Sequence, residues 1–224
     1  MRFGFVVTTW NGARLVETIS HIPKGSRCLV VDNSQTGWTL ARAWNYGAGR
    51  LFSEGYDVAI VCNDDIVLRP DTGELLATKL LELESNGYVL LSGRHAATND
   101  HHTDSPDWTL LNSAVPALRP GPDFALFAIT HRTFDLVGSF DEKFVPCWHE
   151  DNDYHRRIDL AGYQAGAYAP YWHYLNGTLR TDPERQAQVR AGAFEASKAY
   201  YIRKWGGIPG QERFVVPYGE KVGV

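Results

Sequence analysis

Residues 58–65 read VAIVCNDD, five apolar residues that are followed at once by one amide and two carboxylates. An uninterrupted apolar run of this length is typical of a strand that is buried on both faces of a parallel sheet. The polar residues mark the point where that strand ends. Because ligands of open α/β sheets bind beyond the carboxyl ends of the strands, residues 63–65 are candidates for a binding site.

Two earlier stretches repeat this pattern. Residues 3–11 (FGFVVTTWN) and residues 28–34 (CLVVDNS) are apolar runs that end in polar side chains. Helical segments are expected between the strands, at residues 13–20 and 38–53. Strands that alternate with helices predict parallel βαβ units, so the polar ends of all three strands should meet at one crevice.

The alternation continues along the rest of the chain. Asp71 is predicted to cap a helix, with Glu74 three residues later as its capping-box partner, and Gly87 to end it. We therefore predict a single α/β domain of Rossmann-like type, with a mostly parallel central sheet flanked by helices. The remaining strands and helices are expected at residues 89–91, 124–130, 150–160, 164–169 and from 182 to about 205.

The composition is that of an ordinary globular chain, with 224 residues, 44% of them hydrophobic, and a net charge of −4. No apolar run approaches the roughly 20 residues of a membrane-spanning helix, which predicts a cytoplasmic protein without a membrane span. The acidic balance and the lack of a basic block argue against a protein that resides on duplex DNA. Three cysteines without a CxxC pair predict no disulfide framework.

Two common nucleotide-binding signatures are absent. The chain has neither GxGxxG after its first strand nor GxxxxGK[ST], which argues against a dinucleotide site and a P-loop. A diphosphate could instead be held through a metal, because the carboxylates of Asp64 and Asp65 are hard oxygen ligands that suit Mg²⁺ or Mn²⁺. The alternative interpretation of these residues is an ordinary turn after a strand.

A second acidic cluster lies at residues 148–153, which read WHEDND and hold three carboxylates within four positions. Acidic residues are common at the start of a helix, where they interact favourably with the helix dipole, and this alone could explain the cluster. Two acidic clusters in one small α/β chain also suit a metal site beside a general base.

In their order along the chain, these segments resemble the family 2 glycosyltransferases with the GT-A fold. The block formed by residues 138–144 and 150–153 is the most specific of them, since it is similar to the G-x-F-D-E-x-F and E-D-x-D pattern of that family. The resemblance spans nearly the whole chain. The segments that carry it are VVTTWN (6–11), VVDNS (30–34), NYG (45–47), NDD (63–65) at the place of the DxD motif, GSFDEKF (138–144), EDND (150–153) and a YYIRKWG tail (200–206) similar to that of short bacterial and phage members.

The resemblance implies a nucleotide site formed by the first strands. Thr8 and Trp10 would flank the base, with Trp10 at a position that often holds tyrosine. Asp32 would hydrogen-bond the base or the ribose, and Asn45 would belong to the same site. Asp64 would contact the ribose or the sugar.

The resemblance also implies a divalent metal, Mn²⁺ or Mg²⁺, bound by Asp65 and His173. Asn63 stands where the family's motif begins with a carboxylate, and this departure predicts weak metal binding. Asp151 is the implied general base, and Glu150 would support it or contact the acceptor.

The implied reaction transfers a sugar from a UDP-, GDP- or dTDP-linked donor to an acceptor hydroxyl with inversion at the anomeric carbon. The acceptor is expected to be a glycan, a protein or hydroxymethylated DNA, and the cell a bacterium or a phage-infected host. The C-terminal helix offers a surface for a homodimer. We predict a nucleotide-sugar half at residues 1–93, an acceptor and catalytic half at 94–180, and a C-terminal helix and tail at 181–224.

Two other functions are compatible with part of this sequence evidence. A catalytically degenerate protein that only binds sugar nucleotides would explain Asn63, although the intact Glu150-Asp151 pair opposes it. A nucleotidyltransferase shares the topology and the use of metal. Such enzymes carry a glycine-rich, basic loop after the first strand, and TWNGAR at residues 9–14 is a poor version of that loop.

Overall fold

The computed structural model describes residues 1–10, 12, 14–34, 36–96, 105–174, 187 and 192–219, so Asn11 and the expected helix start at residue 182 lie outside the described residues. The strands are β1 (Phe3–Thr9), β2 (Cys28–Asp32), β3 (Val58–Asn63), β4 (Ile66–Leu68), β5 (Tyr88–His95), β6 (Asp123–Thr130) and β7 (Gln164–His173). The α-helices are α1 (Leu15–Ser20), α2 (Leu40–Ser53), α3 (Thr72–Leu83), α4 (Trp108–Ser113), α5 (His131–Val137), α6 (Glu150–Leu160) and α7 (Phe194–Trp205).

The strands form one sheet in the order β2-β1-β3-β6-β5-β7-β4. Strand β1 pairs in parallel with β2 and β3, and β5 pairs in parallel with β7. Strand β6 runs antiparallel between β3 and β5, and the short β4 runs antiparallel to β7 at one edge. Five of the seven strands, β1, β2, β3, β5 and β7, therefore share one direction, which confirms the prediction of a single α/β domain with a mostly parallel sheet.

Helices cover both faces of the sheet, which explains why the strand sequences are apolar without alternation. Along β1, Phe5 and Val7 pack in the core beneath α1 and α3, whereas Val6 packs on the opposite face against Trp44 of α2 and its neighbours. Helices α5 and α6 complete that second layer, through residues such as Phe134 and Ile158. Within the described ranges, no helix is long and apolar enough to cross a membrane.

Most predicted elements agree with the structure within a few residues, and the predicted helix at residues 150–160 matches α6. The capping box of α3 was wrong, because the Asp71 carboxylate makes no capping bond. It accepts instead from Arg69, with Nε–Oδ1 and Nη2–Oδ2 distances of 2.9 and 2.5 Å. An ion pair with a bidentate guanidinium has displaced the weaker bond to a backbone amide.

Candidate functional site

A cavity of about 280 Å³ opens at the carboxyl ends of β1 and β3. The start of β6 and the amino-terminal turn of α6 contribute other parts of its wall. Its position agrees with the rule that open α/β sheets bind ligands beyond their strand ends. Its lining includes most of the residues that the sequence singled out, namely Thr8, Trp10, Asp64, Asp65, Glu150, Asp151 and His173.

Two predicted residues, Asp32 and Asn45, lie outside the described lining of this cavity. The Asp32 side chain is exposed, and its Oδ1 accepts a 2.8 Å bond from the backbone amide of Ser34. Asn45 exchanges two 2.9 Å bonds with the backbone of Phe140 and donates a third, also 2.9 Å long, to Glu142. Nucleotide binding by Asp32 and Asn45 stays a prediction, and the structure assigns Asn45 a contact with the loop that precedes α6.

The turn after β3 presents two buried carboxylates to the cavity, Asp64 and Asp65. The Thr9 hydroxyl donates to the carboxylate of Asp64. The hydroxyl of Thr18, on α1, bonds to the backbone carbonyls of Asp64 and Ile66 at 2.9 and 2.8 Å. Helix α1 therefore braces the backbone of this turn on both sides of Asp65, and Thr9 orients the Asp64 carboxylate.

His173 lies beside Asp65, although 108 positions separate them in the chain. Residue Ile66 at the start of β4 pairs with His173 at the end of β7, and Tyr174 donates its backbone amide to the carbonyl of Asp65 at 2.9 Å. The imidazole Nε2 is 3.4 Å from Oδ1 of Asp65. The edge pairing of a three-residue strand thus creates this pair.

The pair suits a divalent cation in its chemistry and its spacing. A carboxylate oxygen and an imidazole nitrogen are both ligands that Mn²⁺ accepts. The 3.4 Å between the imidazole Nε2 and the Asp65 Oδ1 is short enough that both groups could hold the same ion. Among the described residues no three His, Cys, Asp or Glu side chains come together as a metal group.

The first turn of α6 holds two carboxyl groups that face the cavity. Burial raises the pKa of both groups. Burial, reinforced by the charges of Asp151 and Asp153, raises the pKa of Glu150 well above 4.5. Burial also raises the pKa of Asp151 above 3.8, against the bond from the Asn152 amide and the charge of His149. Glu150 therefore holds its proton more tightly than an exposed glutamate, and the Asp151 carboxylate is a stronger base than that of an exposed aspartate.

Replacing Glu150 with glutamine is expected to stabilise the fold at neutral pH. Glu150 is 4% exposed, and its Oε2 has no hydrogen-bond partner among the described residues. When folding raises the pKa of a carboxyl group, the folded protein loses stability as the pH increases from the unfolded pKa through the folded pKa. Removing that penalty should add about 1–3 kcal/mol to the free energy of unfolding, measured by urea denaturation at pH 7.

The matched control for this variant is Glu82→Gln, because Glu82 is an exposed carboxylate paired with Lys79 on α3. The control should change stability by about 0.5 kcal/mol or less. The difference between Glu150→Gln and the natural protein should shrink as the pH is lowered toward 4.5. A variant that is destabilised at pH 7 would contradict the assignment of a buried, protonated carboxyl.

Strained backbone precedes α6. Trp148 and His149 have φ angles of 75° and 67°, in the left-handed region that bulky side chains avoid. Such residues cost about 1–3 kcal/mol each and occur where surrounding structure forces them, often at functional sites. Here the conformation turns the chain sharply into α6, so that Trp148, Glu150 and Asp151 all line the cavity.

Lys204 of α7 joins this turn to the loop before it through a buried ion-pair cluster, which we call the Lys204 clamp. Its ammonium lies 2.6 Å from a carboxylate oxygen of Asp141 and 2.6 Å from one of Asp153. The fully buried Asp153 also accepts from Trp205 at 2.8 Å and from Arg157 at 3.0 Å. The clamp therefore connects helix α7, helix α6 and the loop at residues 138–144.

The clamp gives a structural reason for three of the sequence segments. Asp141 belongs to GSFDEKF, Asp153 to EDND, and Lys204 to YYIRKWG. Their side chains contact one another and not the cavity, in which Glu150 and Asp151 are the acidic residues of α6. Within EDND, the first two carboxylates face the cavity, and the last, that of Asp153, pairs with Lys204 of α7.

The cavity also has lining residues that the sequence interpretation missed. Asn33 belongs to the polar strand end at residues 32–34 that was expected at the crevice, but no role was predicted for its side chain. Asp123 could not have been found, because it precedes an apolar run, and the sequence does not reveal that this strand is antiparallel and begins at the cavity. The missed lining residues include Asn33, Leu40, Trp44, Asp123, Phe124, Pro146 and Cys147.

No protein-family model matches this sequence, and no curated protein matches it in sequence. Similar solved structures do exist. The protein A197 from STIV superposes with a TM-score of 0.50 at 13% identity, over 76% of this chain and 83% of its own. GalNAc-T7, solved with UDP, GalNAc and Mn²⁺, also superposes with a TM-score of 0.50 at 13% identity, over 90% of this chain and 50% of its own.

A Drosophila β-1,4-galactosyltransferase 7, solved with manganese, UDP-Gal and xylobiose, has a TM-score of 0.44 at 13% identity. It covers 73% of this chain and 64% of its own. At these identities the likeness concerns the fold. The chain has a glycosyltransferase fold of the GT-A type.

Proposed function

We propose that this protein is an inverting, metal-dependent glycosyltransferase, similar to family 2, that moves a sugar from a nucleoside-diphosphate sugar to an acceptor hydroxyl. The observation that carries the proposal is the meeting of two chemistries in one cavity. The Asp65 and His173 pair lies on one side, and the buried acidic turn of α6 lies on another. The GT-A fold supports the same assignment.

The donor would bind along the ends of β1 and β3. Thr8, Trp10 and Asp64 line that part of the cavity and are proposed to contact the nucleoside and the sugar. Asp65 and His173 would hold Mn²⁺ or Mg²⁺, which when bound neutralises charge on the departing diphosphate.

Asp151 is proposed to take the proton from the acceptor hydroxyl as the hydroxyl oxygen attacks the anomeric carbon. Burial raises its pKa, which makes its carboxylate a better proton acceptor than that of an exposed aspartate. Glu150, whose pKa is raised by burial, is proposed to support Asp151 or to contact the acceptor. A single displacement inverts the anomeric centre and needs no nucleophilic carboxylate.

The donor is proposed to be a UDP-, GDP- or dTDP-linked sugar, and the acceptor a glycan, a protein or hydroxymethylated DNA. The division into a donor half at residues 1–93 and an acceptor half at 94–180 is part of the proposal. Strand β4 of the first half pairs with β7 of the second. The proposed metal ligands therefore come from both halves, Asp65 from the first and His173 from the second. The homodimer stays a prediction.

One nucleoside diphosphate among UDP, GDP, dTDP, CDP and ADP is expected to raise the melting temperature, and Mn²⁺ should enlarge the shift. At about 100 times its Kd, a ligand adds about 2.7 kcal/mol, which is roughly 5–10 °C for a chain of this size. Asp65→Asn should lose the part of the shift that depends on Mn²⁺. Differential scanning fluorimetry measures both effects.

Asp71→Asn is the control for Asp65→Asn, because Asp71 is an aspartate outside the cavity that pairs with Arg69. It should keep the Mn²⁺-dependent shift. Hydrolysis or transfer of the matching nucleotide sugar then separates an enzyme from a protein that only binds sugar nucleotides, the reading that Asn63 motivates. If no nucleotide shifts the melting temperature with or without Mn²⁺, the proposed function is wrong.

A further inference from the structure

We propose that Asp123 is a specificity-determining residue, whose carboxylate accepts a hydrogen bond from a hydroxyl group of the sugar that is transferred. This inference rests on the proposed function and extends it to a residue that neither the sequence motifs nor the fold assigns. Asp123 is the first residue of β6 and lines the same cavity as Asp65 and Asp151.

Three contacts fix the Asp123 carboxylate and its backbone. The hydroxyl of buried Tyr171 donates to Oδ2. The backbone amide of Ala125 donates to Oδ1 at 3.0 Å. The amide of Asp123 itself donates to the hydroxyl of Ser92, a side chain with no exposed area, at 2.8 Å. Each carboxylate oxygen can accept more than one bond, so both keep capacity for a ligand.

The sheet is distorted at this point. Ser92 of β5 pairs with Phe127, but the next residue, Gly93, pairs with Asp123, so three residues of β6 are left out of the pairing with β5. Irregularities of this kind redirect side chains and are frequent next to active sites. Here the distortion places the start of β6, and with it Asp123, at the cavity.

Gly93 leaves room for the tyrosine that anchors Asp123. A Cβ atom at Gly93 would lie 2.6 Å from Cδ1 of Tyr171 and 2.7 Å from Cδ2 of Leu126, closer than real contacts allow. The Tyr171 ring therefore packs directly on the glycine backbone, from which its hydroxyl reaches Asp123. Three buried residues thus support Asp123, namely Ser92, Gly93 and Tyr171. They fix the orientation of its carboxylate at the cavity.

The position of Asp123 favours a sugar hydroxyl as its ligand. Strand β6 lies next to β3, which leads into Asp64 and Asp65, so Asp123 lies close to the proposed diphosphate site. Within the described part of the chain it does not join Asp65 and His173 in a group of three metal ligands. The transferred sugar must lie between the diphosphate and the base Asp151. Its hydroxyl groups can donate hydrogen bonds to a carboxylate in that space.

The test compares the binding of a nucleoside diphosphate with that of its hexose-linked form in the natural protein and in Asp123→Asn. The diphosphate is whichever of UDP, GDP and dTDP binds best, and calorimetry in the presence of Mn²⁺ gives both Kd values. Asp123→Asn should leave the Kd of the diphosphate within about twofold and weaken the hexose-linked donor by about 10- to 100-fold. Tyr171→Phe, which keeps the carboxylate but frees it to move, should have a smaller effect in the same direction.

Donors that lack a single hydroxyl locate the contact. One deoxy donor should bind the natural protein weakly and should bind Asp123→Asn about as well as the parent sugar does. Equal weakening of the diphosphate and the hexose-linked donor, or no weakening of either, would overturn the inference and leave the proposed function intact. Failure of the natural protein to bind any of these three diphosphates, or CDP or ADP, would instead refute the proposed function, and the inference with it.

Discussion

Lys204→Met is expected to lower the melting temperature by roughly 6–20 °C. The variant removes the cation of the Lys204 clamp and leaves half-buried Asp141 and fully buried Asp153 without it. Breaking a buried ion pair costs about 3–5 kcal/mol. Each kcal/mol corresponds to about 2–4 °C for a chain of this length. Methionine preserves much of the apolar packing of the lysine stem, so the loss reports the charge, and circular dichroism follows the transition.

The matched control is Lys198→Met on the same helix. Lys198 pairs with Glu195 at 3.6 Å at the surface, where an ion pair contributes about 0–1 kcal/mol. A second variant, Asp141→Asn combined with Lys204→Met, should recover part of the loss because it removes the charge of Asp141, whereas Asp153 keeps its ion pair with Arg157. Equal melting temperatures for Lys204→Met and Lys198→Met would show that the clamp contributes no more than a surface pair.

The clamp should also weaken in acid. Burial alone would raise the pKa of Asp141, but the bonds from Lys204, the Lys143 amide and Tyr200 outweigh it and hold the pKa below 3.8. A carboxylate whose pKa is lowered by folding contributes stability above its unfolded pKa and loses it as the pH falls through the folded value. The difference between Lys204→Met and the natural protein should therefore shrink below about pH 4.

Asp151→Asn is expected to reduce the transfer rate by about 10²- to 10⁴-fold, the usual contribution of a general base. The Kd of the nucleoside diphosphate should stay within about twofold, because the proposed donor contacts lie on β1, the β3 turn and His173. Because Asp151 must be ionised to accept a proton, kcat/KM of the natural enzyme should rise with pH through a pKa above 3.8. Steady-state transfer to the identified acceptor measures the rate.

Asp159→Asn is the control for this variant, since Asp159 is an exposed carboxylate on the same helix, near His155. It should transfer sugar at the natural rate and keep the same pH profile. If Asp151→Asn retains near-natural turnover, Asp151 is not the base.

Local patterns along the chain predicted much of the fold. The apolar runs at β1, β2 and β3 and the helix signals between them depend on neighbouring residues, so they can be read without knowledge of distant contacts. Gly87, predicted to end the helix that follows Asp71, instead ends a 3-10 turn at residues 84–86 that continues α3, and it has the left-handed conformation typical of such an end. The predicted capping box at Asp71 does not form, because the Asp71 carboxylate pairs with Arg69 instead. A residue pattern does not show which of two possible partners binds more strongly.

The sequence also predicted the acidic residues that line the cavity, since Asp64 and Asp65 follow a strand and Glu150 and Asp151 begin a helix. Local rules cannot show which member of an acidic run faces inward. Asp153 belongs to the same run as Asp151, yet it points to Lys204, because four positions in the run place successive carboxylates around different sides of one helix.

By itself the sequence determined the α/β class, the strand ends that form the site and the acidic turn of α6, because each is encoded in consecutive residues. Only the tertiary structure decided the direction of β6, the contact of Asp65 with His173 and the support of Asp123 by Tyr171. Each of these depends on pairing between strands that are far apart in the chain. Such pairing is selected by the packing of the whole sheet, and no stretch of consecutive residues specifies it.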